Sequence, residues 1–273
     1  PKILRAFLRE LLLLTKEIKP IFPKAYRLHI LNKYINRIML TSYYDFVSNH
    51  FISECKTINT IYSGEKESRF AIIQNRICDN FGFKSVCIPH GLEYNINYPL
   101  GLFGNTFYAT SQRAKEVLAK FYPQKKIIFD VDFMQKIFSR NKERKDQRKL
   151  VFFTDSRNIQ LDYKIISFLS ENFIKIYVKL HPNDLKDNYS MIKDVIFIDE
   201  FDDAITNNFV MSRNSTVLLE ASFNYSIPIS ILLNEYDFFI SSYLYPSLAS
   251  EIVIKVSKLE NLLNRVELIK YLK

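Results

Sequence analysis

Two short stretches carry the residue types that could bind an anionic group and act on it. The first is Lys179-Leu180-His181-Pro182-Asn183-Asp184; the second is Ser212-Arg213-Asn214-Ser215-Thr216, running on through Val217-Leu218-Leu219-Glu220-Ala221. Ile174 to Leu180 reads as a buried strand, so His181 stands on the loop at its carboxyl end, where Pro182 stops the ladder. Phe209 to Met211 reads as another strand, and Ser215 and Thr216 fall where a helix begins, with free backbone N–H groups and two hydroxyls. In an open α/β sheet both loops lie at the edge where ligands collect. A phosphate between them would meet an imidazole donor, two hydroxyls, a helix start and the Arg213 cation, while Glu220 could turn toward a ribose.

A second set lies in the first half of the chain. The strand ending at Ile88 runs into Pro89-His90-Gly91-Leu92-Glu93-Tyr94. Gly91 lets the backbone turn sharply, and either His90 or Glu93 could take a proton from an acceptor hydroxyl, the task of a general base. Glu65 and Arg69, at the start of the preceding helix, and Thr154 and Asp155, on the loop after the strand Leu150 to Phe153, are candidate substrate contacts. His29 and His50 read as ordinary surface or core residues.

Several classes are disfavoured by composition. All five glycines fall between Gly64 and Gly104, so the chain has neither a G-x-G-x-x-G dinucleotide loop nor a Walker A loop. Cys55, Cys78 and Cys87 are odd in number and lack paired metal spacing, which points to free thiols rather than a disulfide framework or zinc site. Asp202-Asp203 reads as a helix start rather than a metal motif. No metal and no cofactor are expected. The net charge of +9 favours anionic company, but no nucleic-acid-binding module is recognisable. No apolar run reaches the roughly 20 residues of a membrane span and no signal peptide is visible, so a cytoplasmic protein is expected.

The positioning elements follow from periodicity. Residues 1–50 read as mostly helical, with Leu4, Phe7, Leu8, Leu11 and Leu12 on one face and basic residues elsewhere; that face suits packing or peripheral association with the inner face of the cell membrane. From 57 to 130 strand and helix alternate, and again from 150, which implies parallel sheets covered on both faces. Arg140 to Lys149 carries six basic and two acidic residues and no apolar face, the pattern of an exposed connector. The expected organisation is a first lobe at 1–139, a connector at 140–149 and a second lobe at 150–273. Asn224 is the expected left-handed residue before the strand at Ile227, and an amphipathic helix is expected at 259–272. The chain opens on Pro1 rather than Met, as a fragment with its first strands missing would.

With these residues in hand, the chain resembles bacterial glycosyltransferases of the GT-B architecture. The likeness is to the sialyltransferase, polysialyltransferase and Kdo-transferase group of capsule and lipooligosaccharide synthesis, and teichoic-acid glycerophosphotransferases look similar too. The resemblance rests on His90-Gly91, on His181-Pro182 as the group's His-Pro motif, and on Ser215-Thr216 with Glu220-Ala221 and Pro228, and covers about 57–235. It implies two Rossmann-like lobes and a metal-independent transfer of a sugar, from a CMP-activated acid such as sialic acid or Kdo, to a surface glycan or lipid-linked acceptor. By the same resemblance His181, Ser215 and Thr216 hold the nucleotide phosphate. The group's acidic pair followed by glycine is absent, leaving His90 and Glu93 as candidates for the base. Two alternatives stand beside this expectation: transfer of glycerol phosphate from CDP-glycerol, and a non-catalytic glycan- or membrane-binding protein of the same fold.

Overall fold

The computed structural model describes residues 4, 5, 8, 9, 12, 39, 42–55, 57–67, 69–98, 101–140, 147–265 and 270. Most of the expected N-terminal helix, most of the basic connector and the end of the expected C-terminal helix lie outside them. The chain forms two compact units: residues 1–90, 97–108 and 122–126 make the first, and residues 91–96, 109–121 and 127–273 the second.

The first unit is built on strands β1 (Thr60–Ser63), β2 (Lys84–Cys87) and β3 (Thr106–Tyr108), with β4 (Lys126–Ile128) completing the sheet in the order β1-β2-β3-β4. The β1–β2 and β2–β3 pairs are parallel. Helix α1 (42–54) and helix α2 (Arg69–Phe81) accompany it. Ile52 of α1 and Ile73 and Ile77 of α2 are buried together, with Ile58 and Ile61 packed against them. Apolar residues four apart on α2 thus face the sheet and fix that helix beside it.

The second unit carries a six-stranded sheet in the order β10-β9-β8-β5-β6-β7, and every pair is parallel. Its strands are β5 (Leu150–Phe153), β6 (Ile176–Lys179), β7 (Val195–Phe197), β8 (Phe209–Ser212), β9 (Ile227–Ile231) and β10 (Ile254–Val256). Each residue of β5 and β8 is buried, which is why these strands are continuous apolar runs rather than alternating ones. Helices α3 (Gln112–Phe121), α4 (Val131–Phe138), α5 (Ile159–Asn172), α6 (Phe201–Ile205), α7 (Thr216–Ser222), α8 (Glu235–Phe239) and α9 (Glu260–Leu263) belong to this unit. The core joins Ile165, Ile166 and Leu169 of α5 to Phe152, Val178 and Met211 of the strands.

Two expectations change, and one stretch is added to them. Residues 91–96, 109–121 and 127–139, expected in the first lobe, cluster with the second unit. Within it the apolar face of α4 is covered by the end of α7: Phe138 stacks on Phe223 at 5.5 Å, and Gln135 Nε2 donates to Phe223 O at 2.6 Å. Asn224 is not the left-handed residue; Tyr225 is, at φ 58°. Asn224 is buried, and its amide donates to Phe138 O and Glu220 O and accepts from Arg140 N, so the side chain is worth more pointing inward than the backbone is turning. The region 234–256, unread in the sequence, supplies α8, a single π-helical turn (Ile240–Leu244) and β10.

Candidate functional site

Strand order decides the site. Strand β5 lies between β8 and β6, so the loop after β5, residues 154–158, sits between the Ser215 loop and the His181 loop and is bonded to both. Thr154 Oγ1 accepts from His181 N at 2.9 Å. Ser156 Oγ lies 3.3 Å from His181 Nδ1, and Arg157 Nη2 donates to Asn214 Oδ1 at 2.7 Å. Three strand-end loops are therefore pinned into one layer at the carboxyl edge of the sheet.

His181 is exposed at the start of its turn, with Asp184 N donating back to His181 O at 2.8 Å. Its Nδ1 accepts from Asn183 N at 3.2 Å. A backbone N–H can only donate, so the proton of the neutral ring sits on Nε2, which is left as a donor. Asp184 is buried and holds the turn from beneath. Burial would raise its carboxyl, but Tyr189, Thr154 and Asn188 hold it below the usual carboxylate range.

Ser215 is the N-cap of α7, its Oγ accepting from Val217 N at 3.3 Å. The hydroxyl proton is still available to a ligand, and Thr216 is half-buried beside it. Helix α7 spans only seven residues, so its dipole adds little at this end.

Arg213 is not a phosphate ligand. Its side chain is 3% exposed and faces three carboxylates: Nη2 donates to Asp155 Oδ2 at 2.9 Å, Nε lies 3.3 Å from Asp162 Oδ1, and Nη1 lies 3.7 Å from Asp237 Oδ2. Asp155 also takes both Nε and Nη2 of Arg157. Burial pushes its carboxyl up, but the hydrogen bonds from Arg157 and Arg213 win and hold it at about 2. Asp162 has no exposure, and desolvation raises it to about 7 despite Asp155 N and Arg213. Desolvation raises Asp237 as well, against Arg213 and Asn214. Two guanidiniums against three carboxylates leave one negative charge in excess, which a proton on Asp162 cancels.

Asp155 and Thr154, expected to meet substrate, are buried and serve the loop instead, Thr154 under His181 and Asp155 between the two arginines. Glu220 lies in the last turn of α7, where its Oε2 accepts from Arg140 at 3.0 Å; burial outweighs that partner and raises its carboxyl. Sequence reading missed Ser156, Arg157, Asn214 and Asp237. Ser156 and Arg157 were legible as polar residues at a strand's carboxyl end, whereas Asp237 lies in the first turn of α8, a helix the sequence reading does not include.

In the first unit His90 is exposed and its Nδ1 lies 2.9 Å from Gly64 O. A carbonyl only accepts, so here the proton sits on Nδ1 and Nε2 keeps its lone pair, the opposite tautomer to His181. Glu65 is exposed; Arg69 begins α2, and its side chain lies outside the described residues. Glu93 is fully buried in the second unit, where Oε1 accepts from Thr110 N at 2.7 Å and Oε2 from Thr110 Oγ1 at 2.5 Å. It closes on Thr110 instead of opening to a substrate. Among the described residues no cluster of His, Cys, Asp and Glu could hold a metal ion, and no helix is long and apolar enough to cross a membrane.

No protein-family model matches the chain, and no curated protein matches it in sequence. Solved structures do match in fold. A protein assigned as a UDP-N-acetylglucosamine 2-epimerase from Listeria monocytogenes is 13% identical, with a TM-score of 0.55 over 85% of this chain and 71% of that one. The UDP-GlcNAc 2-epimerase of Neisseria meningitidis, bound to UDP-GlcNAc, is 14% identical at TM-score 0.52 over 85% and 73%. That of Methanocaldococcus jannaschii is 12% identical at 0.53 over 84% and 74%. The chain has the GT-B-like α/β fold, with two parallel sheets, that these structures have.

Proposed function

We propose that the chain is a nucleotide-sugar-dependent enzyme whose second unit holds the nucleotide phosphate. The observation that carries this reading is the convergence of the His181, Ser156 and Asn214-Ser215 loops through direct hydrogen bonds, with His181 fixed as an Nε2 donor. An imidazole N–H and the hydroxyls of Ser215 and Thr216 suit a phosphate oxygen and steady the negative charge that grows on a leaving nucleotide. The fold neighbour bound to UDP-GlcNAc adds support for a nucleotide-sugar ligand.

The finer reading is glycosyl transfer, with a CMP-activated acidic sugar as donor and a glycan or lipid-linked hydroxyl as acceptor. His90 supports it, because its Nε2 lone pair is that of a base able to take the acceptor's proton. A second reading, epimerisation of a UDP-sugar, is favoured by what the fold neighbours are; it requires no acceptor. Calorimetry of the full chain against CMP, CDP and UDP, with His181→Ala alongside, tests the shared core. Binding of at least one, weakened about tenfold or more by the substitution, is expected; no binding, or no weakening, overturns it. Product analysis with CMP-sialic acid plus a glycan acceptor, against UDP-GlcNAc alone, separates transfer from epimerisation.

A further inference from the structure

Arg157 occupies a position that neither the phosphate site nor the fold accounts for. It follows Ser156, which reaches His181, and it bonds Asn214, which precedes Ser215, so it stands on the loop that joins the two halves of the phosphate site. Its side chain is 53% exposed, where that of Arg213 is 3%. The guanidinium is nonetheless fixed. Nε donates to both Asp155 oxygens at 2.8 and 2.9 Å, and Nη2 donates to Asp155 and to Asn214. That holds one edge of the planar group and leaves Nη1, on the opposite edge, with two N–H donors that have no partner among the described residues.

The two arginines share these carboxylates unequally. Asp155 is shared between Arg157 and Arg213, and Asp162 and Asp237 both lie against Arg213. Of the two cations, the exposed one is therefore the less neutralised. A purely structural arginine would gain by burying its guanidinium against partners on both edges, as Arg213 does; Arg157 spends one edge on being held still and presents the other. A guanidinium immobilised before ligand arrives loses little entropy on binding, which makes it a recognition group for a planar or tetrahedral oxyanion.

Resting on the nucleotide-phosphate reading above, we propose that Arg157 recognises a second anionic centre of the donor, distinct from the phosphate at His181. That centre is an oxyanion, supplied by a carboxylate on the sugar or by a second phosphate.

The test is calorimetry of the full chain and of Arg157→Gln with CMP, CDP and CMP-sialic acid. CMP carries one anionic group, so its fall measures what losing the Asn214 bond costs the phosphate site itself. Affinity for the ligand with the matching second group should fall about 10- to 100-fold further than that for CMP. A fall for CDP alone assigns a second phosphate; a fall for CMP-sialic acid alone assigns a sugar carboxylate. Arg157→Lys, which keeps the charge and loses the fork on Asp155, should fall between the two, and it carries the test if the Gln variant fails to fold. Equal loss for all three ligands, or no loss for any, overturns the proposal while leaving the phosphate site standing. If the unsubstituted chain binds none of the three, this inference fails, and if it does not bind UDP either, the phosphate reading fails with it.

Discussion

At the scale of single residues, the two exposed strand-end histidines are prepared for opposite tasks by one bond each. A backbone N–H fixes His181 as a donor on Nε2, and a backbone carbonyl fixes His90 with a free Nε2 lone pair. Long-range nitrogen NMR should therefore report Nε2–H for His181 and Nδ1–H for His90 when each ring is neutral. If His90 is the base, His90→Ala should lower turnover by about 10²- to 10⁴-fold with the donor dissociation constant unchanged; loss of donor binding instead would remove it from that role. Asp162 supplies a pH prediction. Its folded value near 7 lies above the ordinary 3.8, so the folded state binds its proton more tightly than the unfolded one. Its contribution to stability is full below about 3.8 and is lost as pH rises through 7. Asp155 works the other way, stabilising above the ordinary range and losing that as pH falls through about 2. Carboxyl-carbon NMR should find midpoints near these two values; a single shared midpoint near 4 would contradict the arrangement.

At the scale of elements, the turn between α7 and β9 shows how a side chain and its neighbour's backbone divide the work. Asn224 ties the end of α4, the start of the segment after it and the last turn of α7 through three hydrogen bonds, one buried and two partly buried. Asn224→Ala should cost about 2–3 kcal/mol in chemical denaturation, because it strands buried backbone groups without water. Tyr225 bears the positive φ and is 59% exposed, so Tyr225→Gly relieves backbone strain with little packing lost and should stabilise by about 1 kcal/mol. The alternation of strand and helix was legible here because buried parallel strands must be apolar throughout: Leu150–Phe153 and Phe209–Ser212 fall within a residue of where the pattern puts them. Helix α4 escaped because Val131–Phe138 directly follows a strand without glycine or proline to mark the change, and only the Asp130 cap, accepting from Phe133 N, signals its start.

At the scale of the whole molecule, the second unit gathers segments far apart in the chain. Glu93 accepts from Thr110, Thr110 Oγ1 lies 2.8 Å from Ser247 Oγ, and Ser111 Oγ lies at the same distance from it. Nearby, Asn95 N donates to Leu244 O at 2.8 Å, and Tyr94 stacks on Tyr245. Glu93→Ala should therefore act on stability, costing about 3 kcal/mol as the buried Thr110 N–H loses its acceptor, read as a lowered thermal midpoint. Unchanged stability with lost turnover would restore a catalytic reading of Glu93.

By itself the sequence determined the class of fold, strands β5 to β9 and the loop positions of His181, Ser215 and His90, because local periodicity and strand-ending residues are properties of neighbours along the chain. Only the tertiary structure decided which of those loops touch. Strand order inserts β5 between β8 and β6, which brings Arg157, Asp155 and Arg213 together, and the bonds to Thr110 turn Glu93 inward. Residue type says what a side chain can bond to; the packing of distant segments says what it meets and whether water remains to compete.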